Sequence, residues 1–242
     1  MAKPTKAEIK EARKLEWEER AKKEQRQTMF RKIAIWGGSI LGIIAFVAIL
    51  IWLASSPSKE TSNITVAPIS SKDIQTRSKG NKVTLIEYAD FQCPACKSYH
   101  PVVNKINSDY KDRLLFVYRF FPLTSIHQNA MISAQAGYAA YLQGKFWEMH
   151  DLLFENQDDW AKASDPKSIF EAFAAKIGLN VDQFKKDIDS GNVKKFVTEE
   201  QNEGLNAGVS STPTFVLNGK VISNPSGYDD FKKLIDDALK GK

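Results

Sequence analysis

The chain contains two cysteines, Cys93 and Cys96, which are separated only by Pro94 and Ala95. A Cys-x-x-Cys pair is typical of two kinds of site: a dithiol that exchanges with other disulfides, and one half of a zinc site. The preceding residues Val83–Ala89 have the composition of a β-strand, and the residues that follow favour a helix. A dithiol at such a strand-to-helix junction is positioned to be redox-active.

The place of Cys93 at the start of a helix favours its thiolate form. The first N–H groups of a helix lack intrahelical partners, and the helix dipole places partial positive charge at that end. Amides near Ala95 and Cys96 are therefore expected to donate to the Cys93 sulfur and lower its pKa. Cys96 follows on the same helical face, within reach of a disulfide. We expect thiol–disulfide exchange, with Cys93 as the exposed nucleophile and Cys96 as the deeper resolving thiol.

Two other interpretations of the cysteine pair fit less well. A zinc site needs two more ligands, but the chain has no third cysteine, and its three histidines lack the usual His-x₃₋₅-His spacing. We therefore expect no metal and no other cofactor, and interpret His100, His127 and His150 as structural residues. A purely structural disulfide would close too short a loop to stabilise much. A metal chaperone that holds a soft ion between Cys93 and Cys96 stays open as an alternative.

An uncharged apolar segment indicates a membrane anchor. Residues 33–54 hold no charged side chain, and as a helix they would span about 33 Å, enough for the hydrocarbon core of a bilayer. A cleaved signal peptide has a shorter apolar region of about 7–15 residues that ends in a small-x-small site, and this segment lacks both features. The sequence therefore predicts a single transmembrane helix. Gly38 and Gly42 allow close helix pairing, but dimerisation is not expected because glycine is common in such helices.

The distribution of charge predicts the orientation of that helix. Residues 1–32 contain eleven Lys and Arg and six Glu, whereas the rest of the chain has 23 basic and 23 acidic residues. Lys- and Arg-rich flanks stay on the cytoplasmic side, so residues 55–242 are expected outside the cytoplasmic membrane, in the periplasm or at the cell exterior. Disulfides persist in that compartment. The basic balance is thus a topology signal and does not indicate a nucleic-acid partner.

Four segments follow from these patterns. We expect a charged cytoplasmic helix over residues 1–32, a membrane anchor over 33–54, a polar Ser/Thr/Pro-rich tether over 55–68 and a folded domain over 69–242. Within the domain, strands are predicted at 83–89, 114–121, 214–217 and 220–222, with an Asn-Gly hairpin between the last two. A helix that is kinked or restarts near Pro101 follows Cys93, and another closes the chain at 228–239.

A long helical stretch is predicted between the second and third of these strands, at about residues 125–207. Glycines mark the expected helix ends, because a left-handed residue commonly closes a helix. The pair Asp165-Pro166 is typical of a helix cap followed by a first-turn proline. The four glycines are Gly144, Gly178, Gly191 and Gly208.

Several motifs together resemble the thioredoxin superfamily. They are residues 87–96, with the sequence EYADFQCPAC, and residues 211–215, with the sequence STPTF. The long helical stretch between them resembles the DsbA branch, as do FPL at 121–123, HQNA at 127–130 and GKFWEMHD at 144–151. The resemblance is closest to membrane-tethered or secreted, BdbD-like bacterial members, and it covers about residues 66–242.

The resemblance implies a fold and a set of roles. The fold would be an α/β thioredoxin fold with a DsbA-like helical insertion at about 124–207, preceded by the transmembrane helix. Pro213 would be a cis-proline that faces the disulfide, and substrate would contact Thr212, Pro213, Pro94 and Ala95. Glu87 would be a buried acid that relays the proton of Cys96. Alternation along the strand places Glu87 on the same face as Val83 and Leu85, which are apolar.

The resemblance also implies an activity. The chain would be a protein disulfide oxidoreductase that donates its disulfide to exported proteins and is reoxidised by a quinone-linked membrane oxidase of the DsbB-like or VKOR-like kind. A reductase or isomerase of the same compartment stays open as an alternative. The dipeptide Pro94-Ala95 does not decide between them, because it matches neither the Pro-His of strong oxidants nor the Gly-Pro of thioredoxins.

Overall fold

The computed structural model describes residues 66–76 and 82–241. The predicted cytoplasmic helix 1–32, the anchor 33–54 and most of the tether 55–68 lie outside these residues, so those three segments stay predictions. Within the described ranges, no helix combines the length and the apolar character needed to cross a bilayer.

A five-stranded sheet forms the centre of the folded part. Its strands are β1 (Ile74–Gln75), β2 (Val83–Ala89), β3 (Leu114–Phe120), β4 (Thr214–Leu217) and β5 (Lys220–Ile222), in the spatial order β1-β3-β2-β4-β5. β2 and β3 pair in parallel, and the other neighbours are antiparallel. The two central strands are nearly continuous runs of apolar residues because both of their faces are covered. The four predicted strands are confirmed, and β1 is the one that the sequence did not indicate.

Eight helices accompany the sheet in the described residues. The first, α1 (Pro94–Tyr110), connects β2 to β3, and the last, α8 (Tyr228–Leu239), closes the chain. α1 is continuous through Pro101, so the expected restart there was wrong, whereas the alternative of a kink stays a prediction. The six helices between β3 and β4 form the predicted insertion: α2 (Ala130–Leu142), α3 (Phe146–Glu155), α4 (Gln157–Trp160), α5 (Lys167–Lys176), α6 (Val181–Ile188) and α7 (Gly191–Ala207).

Three of the four glycines end helices as predicted. Gly144, Gly178 and Gly208 follow α2, α5 and α7 with φ values of 74°, 75° and 95°, in the left-handed region that glycine tolerates best. Gly191 was wrongly assigned: it is the first residue of α7, because the side chain of Ser190 accepts a hydrogen bond from the Asn192 amide and begins that helix.

The start of α5 differs slightly from its prediction. Pro166 is the N-cap residue and not the first helical residue, so the helix begins one residue later than predicted, at Lys167. The Asp165 carboxylate accepts a hydrogen bond from the amide of Lys167.

The largest apolar cluster joins the insertion to the sheet. The ring of Phe91 lies at its centre, with centroid distances of 5.2 Å to Tyr118 on β3 and 5.0 Å to Phe154 on α3. Cys93 and Cys96 belong to the same cluster. The dithiol therefore lies at the junction between the sheet and the insertion, and side chains from both parts surround it.

Candidate active site

The two cysteines lie where β2 passes into α1. Cys93 is the N-cap residue of α1 with extended backbone angles, and Pro94 occupies the first helical position, where its missing N–H costs nothing. The Cys93 amide donates to the Asp90 carbonyl oxygen at 3.0 Å. Cys93 is 6% exposed and Cys96 is fully buried. Cys93 is therefore the more accessible thiol, as expected, but it is not exposed, because residues from other loops pack over it.

The electrostatics of the site separate the two thiols. A hydrogen bond from the Cys96 thiol is the largest cause that lowers the pKa of Cys93, to about 5, against the opposing effect of burial. The Thr212 side chain and the amides of Cys96 and Ala95 lower it further. The predicted helix-start amides thus contribute, although the neighbouring thiol contributes more. Burial, the hydrogen bond to Cys93 and the charge of Glu87 raise the pKa of Cys96 well above its ordinary value. Cys93 therefore ionises first.

Glu87 lies in the middle of β2, opposite Tyr118 of β3 and Phe215 of β4. It is only 3% exposed. Burial, and secondarily the charge of Cys93, raises the pKa of Glu87 to about 8. Its carboxyl group therefore keeps its proton at neutral pH and is able to donate it to a neighbouring thiolate. That role in proton transfer is still a prediction.

The loop before β4 covers the dithiol. The Thr212–Pro213 peptide bond is cis, as the resemblance implies. The Cys93 Sγ lies 3.5 Å from the Thr212 carbonyl oxygen. The buried Thr212 hydroxyl has no hydrogen-bond partner among the described residues, but its proximity to the Cys93 sulfur lowers the pKa of that thiol. The fold thus brings Glu87, both cysteines and Thr212 into one site. Pro94 and Ala95 are exposed beside it, and their substrate contacts stay predictions.

The insertion holds the loop that carries Cys93, and sequence reasoning missed this. We call residues 90–93 the active-site loop. Gln157 at the start of α4 is buried, and its Nε2 donates to the carbonyl oxygens of Phe91 and Cys93 at 2.7 and 3.1 Å. Gln92 within the loop donates to the carbonyl of Ala161 at 2.7 Å and accepts from the Asn129 amide at 2.6 Å. Side-chain amides thus fix the loop from both sides.

A buried carboxylate completes this support. Asp90 accepts hydrogen bonds from His127 Nδ1 at 2.6 Å, from the Leu123 amide at 3.0 Å and from the Gln92 amide at 2.8 Å. His127 and Asn129 belong to the HQNA motif that resembles the DsbA branch, so a signal for them existed in the sequence. Gln157 had none, because a glutamine in a helical stretch looks like any solvated residue.

Comparison with known proteins agrees with this geometry. A protein-family model described as thioredoxin matches residues 75–237, well over half of the chain. The chain belongs to the thioredoxin family. The probable disulfide bond formation protein D of Bacillus cereus is 31% identical over 165 residues, which are 65% of this chain and 74% of that protein. The crystal structure of oxidised BdbD from Bacillus subtilis superimposes with a TM-score of 0.65 at 23% identity and covers 74% of this chain and 98% of that one. The DsbA-like thioredoxin fold with a helical insertion is thereby confirmed.

Other relatives are much longer than the segment that this chain matches. The Na⁺/H⁺ antiporter NhaA 3 of Salinispora tropica is 36% identical over 138 residues, which are 57% of this chain but 20% of the antiporter. This chain spans less than a third of the length of the first such relatives. The match therefore does not indicate that this chain is an antiporter.

Proposed function

We propose that this chain is a thiol–disulfide oxidoreductase that donates the Cys93–Cys96 disulfide to exported proteins. The observation that carries the proposal is the contrast between the two thiols: the pKa of Cys93 is lowered to about 5, whereas that of Cys96 is raised. A stabilised thiolate favours the reduced dithiol over the disulfide, and this makes the disulfide a better oxidant.

The geometry supports an exchange in two steps. A substrate thiolate attacks the Cys93 sulfur of the enzyme disulfide; a mixed disulfide forms, and Cys96 leaves as a thiolate. Because its pKa is high, Cys96 takes up a proton, which the protonated Glu87 is placed to supply. A second thiolate of the substrate then attacks the substrate sulfur that is bonded to Cys93. The substrate disulfide forms, and Cys93 leaves as a thiolate. A thiol of low pKa leaves faster. Two electrons pass from the substrate dithiol to the enzyme.

The proposal includes a location and a partner. The catalytic domain would lie outside the cytoplasmic membrane, held by the single-pass anchor at residues 33–54 with its N-terminus in the cytoplasm. The basic flank at residues 1–32 supports that orientation. A quinone-linked membrane oxidase of the DsbB-like or VKOR-like kind would reoxidise the dithiol. The relative named as a probable disulfide bond formation protein supports a role in making disulfides.

A trapping experiment tests the exchange. The variant Cys96→Ala lacks the resolving thiol, so in its host it should accumulate mixed disulfides between Cys93 and exported proteins, seen as adducts that disappear on reduction. A chain that carries both Cys93→Ala and Cys96→Ala is the matched control and should form none. If Cys96→Ala also forms none, the proposed exchange is wrong.

Equilibration with glutathione buffers separates donation from reduction. The low pKa of Cys93 predicts that the disulfide is reduced even in buffers with a large excess of oxidised glutathione. A reduction potential near that of thioredoxin, about −270 mV, would instead assign the chain as a reductase.

A further inference from the structure

A second cluster of chemically active side chains lies between α1 and α3. His100 follows Cys96 by one helical turn on α1, and His150 and Asp151 are adjacent on α3. The Asp151 Oδ1 lies 2.8 Å from His100 Nε2 and 3.0 Å from His150 Nδ1, and the three ligand atoms all lie within 4.8 Å of one another. Both imidazoles are buried, whereas the Asp151 side chain is 42% exposed. The cluster is therefore reachable from solvent through its carboxylate.

No placement of hydrogen atoms turns all the close contacts in this cluster into hydrogen bonds. Asn104 Nδ2 lies 3.1 Å from the Asp151 Oδ1 and 2.9 Å from His100 Nε2. A carboxylate oxygen only accepts, so Asn104 Nδ2 and His100 Nε2 must each donate a hydrogen to bond to Asp151. These two nitrogens then face each other as two donors. If His100 leaves Nε2 unprotonated to accept from Asn104, two lone pairs meet across the 2.8 Å to Asp151. One contact of this triangle is unfavourable in either tautomer of His100.

A cation removes the conflict. We infer that His100, His150 and Asp151 form a binding site for a divalent transition-metal ion of the zinc class. The ion would accept the lone pairs of both imidazoles and of Oδ1, and the Asn104 amide would donate to the carboxylate from outside the coordination sphere. Two nitrogens and one oxygen match Zn²⁺, whereas Ca²⁺ and Mg²⁺ require mainly oxygen ligands. Water completes the fourth position.

The geometry of the cluster is close to what such an ion needs. Bonds of about 2.0–2.2 Å at tetrahedral angles place ligand atoms roughly 3.3 Å apart. The contacts of 2.8 and 3.0 Å to Asp151 therefore have to open by a few tenths of an ångström, and the two imidazole nitrogens, which lie within 4.8 Å of each other, have to settle at about that spacing. The ion would connect α1, which carries the dithiol, to α3 of the insertion. Fifty positions separate the two histidines in sequence, so their spacing gave no sign of a shared site.

Cobalt binding tests the site apart from the dithiol. The full-length chain carrying Cys93→Ser and Cys96→Ser, freed of metal with a chelator, supplies no thiolate ligand. Titration with Co²⁺ should give visible ligand-field bands at one ion per chain, without sulfur charge-transfer bands in the near ultraviolet, and Zn²⁺ should displace the cobalt. Zn²⁺ at 100 times its Kd should lower the unfolding equilibrium constant about 100-fold. If no cobalt spectrum appears, the inference is wrong, whatever the outcome of the exchange experiments.

Substitutions at the ligands locate the site. In the same serine background, Asp151→Asn keeps the shape of a half-exposed side chain, and it should weaken Zn²⁺ binding by about 100-fold or more, beyond what loss of an outer partner causes. His150→Gln should do the same, but it changes a buried residue and has a greater risk of unfolding. The control Asp158→Asn removes an exposed carboxylate that pairs with Lys97, and it should leave the affinity unchanged. If Asp151→Asn binds Zn²⁺ as tightly as its parent, these residues are not the ligands.

Discussion

The thioredoxin part of the molecule and its helical insertion contribute differently to one site. The thioredoxin part supplies every group proposed to react or to touch the reacting sulfur: Cys93, Cys96, Glu87 and Thr212. The insertion supplies no nucleophile and no acid to that chemistry. It provides hydrogen bonds to the backbone of the active-site loop, chiefly from Gln157.

The difference shows how chemistry in one region depends on geometry from another. The amides of Ala95 and Cys96 stabilise the Cys93 thiolate only while the loop that carries Cys93 stays in place. That loop lies in an apolar cluster, where a carbonyl without a partner would be costly. The insertion pairs these carbonyls and so preserves the position of the sulfur. Substitutions in the two regions should therefore fail in different ways.

The largest expected effect is loss of the nucleophile in the thioredoxin part. Cys93→Ser should abolish disulfide exchange, because a serine hydroxyl forms no disulfide, whereas the fold should be retained since the substitution is nearly isosteric. Oxidation of a dithiol peptide measures the activity, and urea unfolding measures the stability. Residual exchange in this variant would mean that Cys96 acts alone as the nucleophile.

Glu87→Gln should give the next largest effect. Gln has the shape of the protonated acid but releases no proton to Cys96, so the exchange rate should fall about 10²–10⁴-fold, the usual contribution of general acid catalysis. The rate of wild-type exchange should also change near pH 8, where Glu87 titrates, and this inflection should be absent from the variant. A rate profile that is the same for both proteins would exclude Glu87 from proton transfer.

Glu87→Gln, which should slow exchange, should at the same time increase folding stability at neutral and alkaline pH. The pKa of Glu87 is about 8 in the fold against an ordinary 4.5, so between these values the unfolded chain releases a proton that the fold keeps. Folding stability contributed by this group therefore falls as pH rises through that window, by on the order of 4 kcal/mol at pH 8. Glu87→Gln should remove this loss. Glu200→Gln is the matched control, because burial raises the pKa of Glu200 likewise to about 8; it should stabilise similarly and leave exchange intact.

The same contrast explains what the sequence allowed us to predict. The groups proposed to react lie in short local patterns: two cysteines at a helix start, and Glu87 on a strand face with apolar neighbours. Local patterns also predicted β2 and the Asn-Gly hairpin, where Asn218 and Gly219 have φ values of 48° and 79°. Those features depend on residues that are near one another in the chain.

The parts that failed depend on contacts distant in sequence. Gln157 lies 64 positions from the Cys93 carbonyl that it binds, and only packing of the insertion against the sheet brings them together. The burial of Cys93 has the same origin, because the loop at Thr212, 119 positions away, covers it. β1 is two residues long, too short for a periodic pattern. The resemblance to a known family supplied the Thr212–Pro213 loop, which composition alone did not.

A substitution in the insertion should have a moderate effect on both properties. Gln157→Leu keeps the volume but leaves the Phe91 and Cys93 carbonyls unpaired, so stability should fall by about 2 kcal/mol. The loosened loop should raise the pKa of Cys93 and slow exchange about tenfold, as small displacements of catalytic groups do. Thiolate absorbance against pH measures the first, and peptide oxidation the second.

Gln135→Leu is the control for that substitution. Gln135 is also buried in the insertion, and its Nε2 donates at 2.7 Å to the carbonyl of Ile188, which is not part of the active-site loop. It should lose about 1 kcal/mol of stability with the pKa of Cys93 unchanged. If both variants shift that pKa equally, the insertion acts through general stability and the proposed support of the loop is wrong.

The smallest effect is expected at Thr212, where the thioredoxin part meets the sulfur through one hydroxyl. Thr212→Val removes a group that lowers the pKa of Cys93, so that pKa should rise and the disulfide should become less oxidising. Loss of one polar interaction with the thiolate, worth about 1 kcal/mol, corresponds to about a fivefold change in the equilibrium constant with glutathione. Stability should hold or increase, because the lost hydroxyl is buried with no oxygen or nitrogen partner in the described part of the chain.

Thr214→Val is the control for this substitution. It removes a hydrogen bond to the Ser211 carbonyl in the same loop, so it should instead lower stability and leave the pKa of Cys93 unchanged. The opposite pattern would show that Thr212 shapes its loop and does not act on the sulfur.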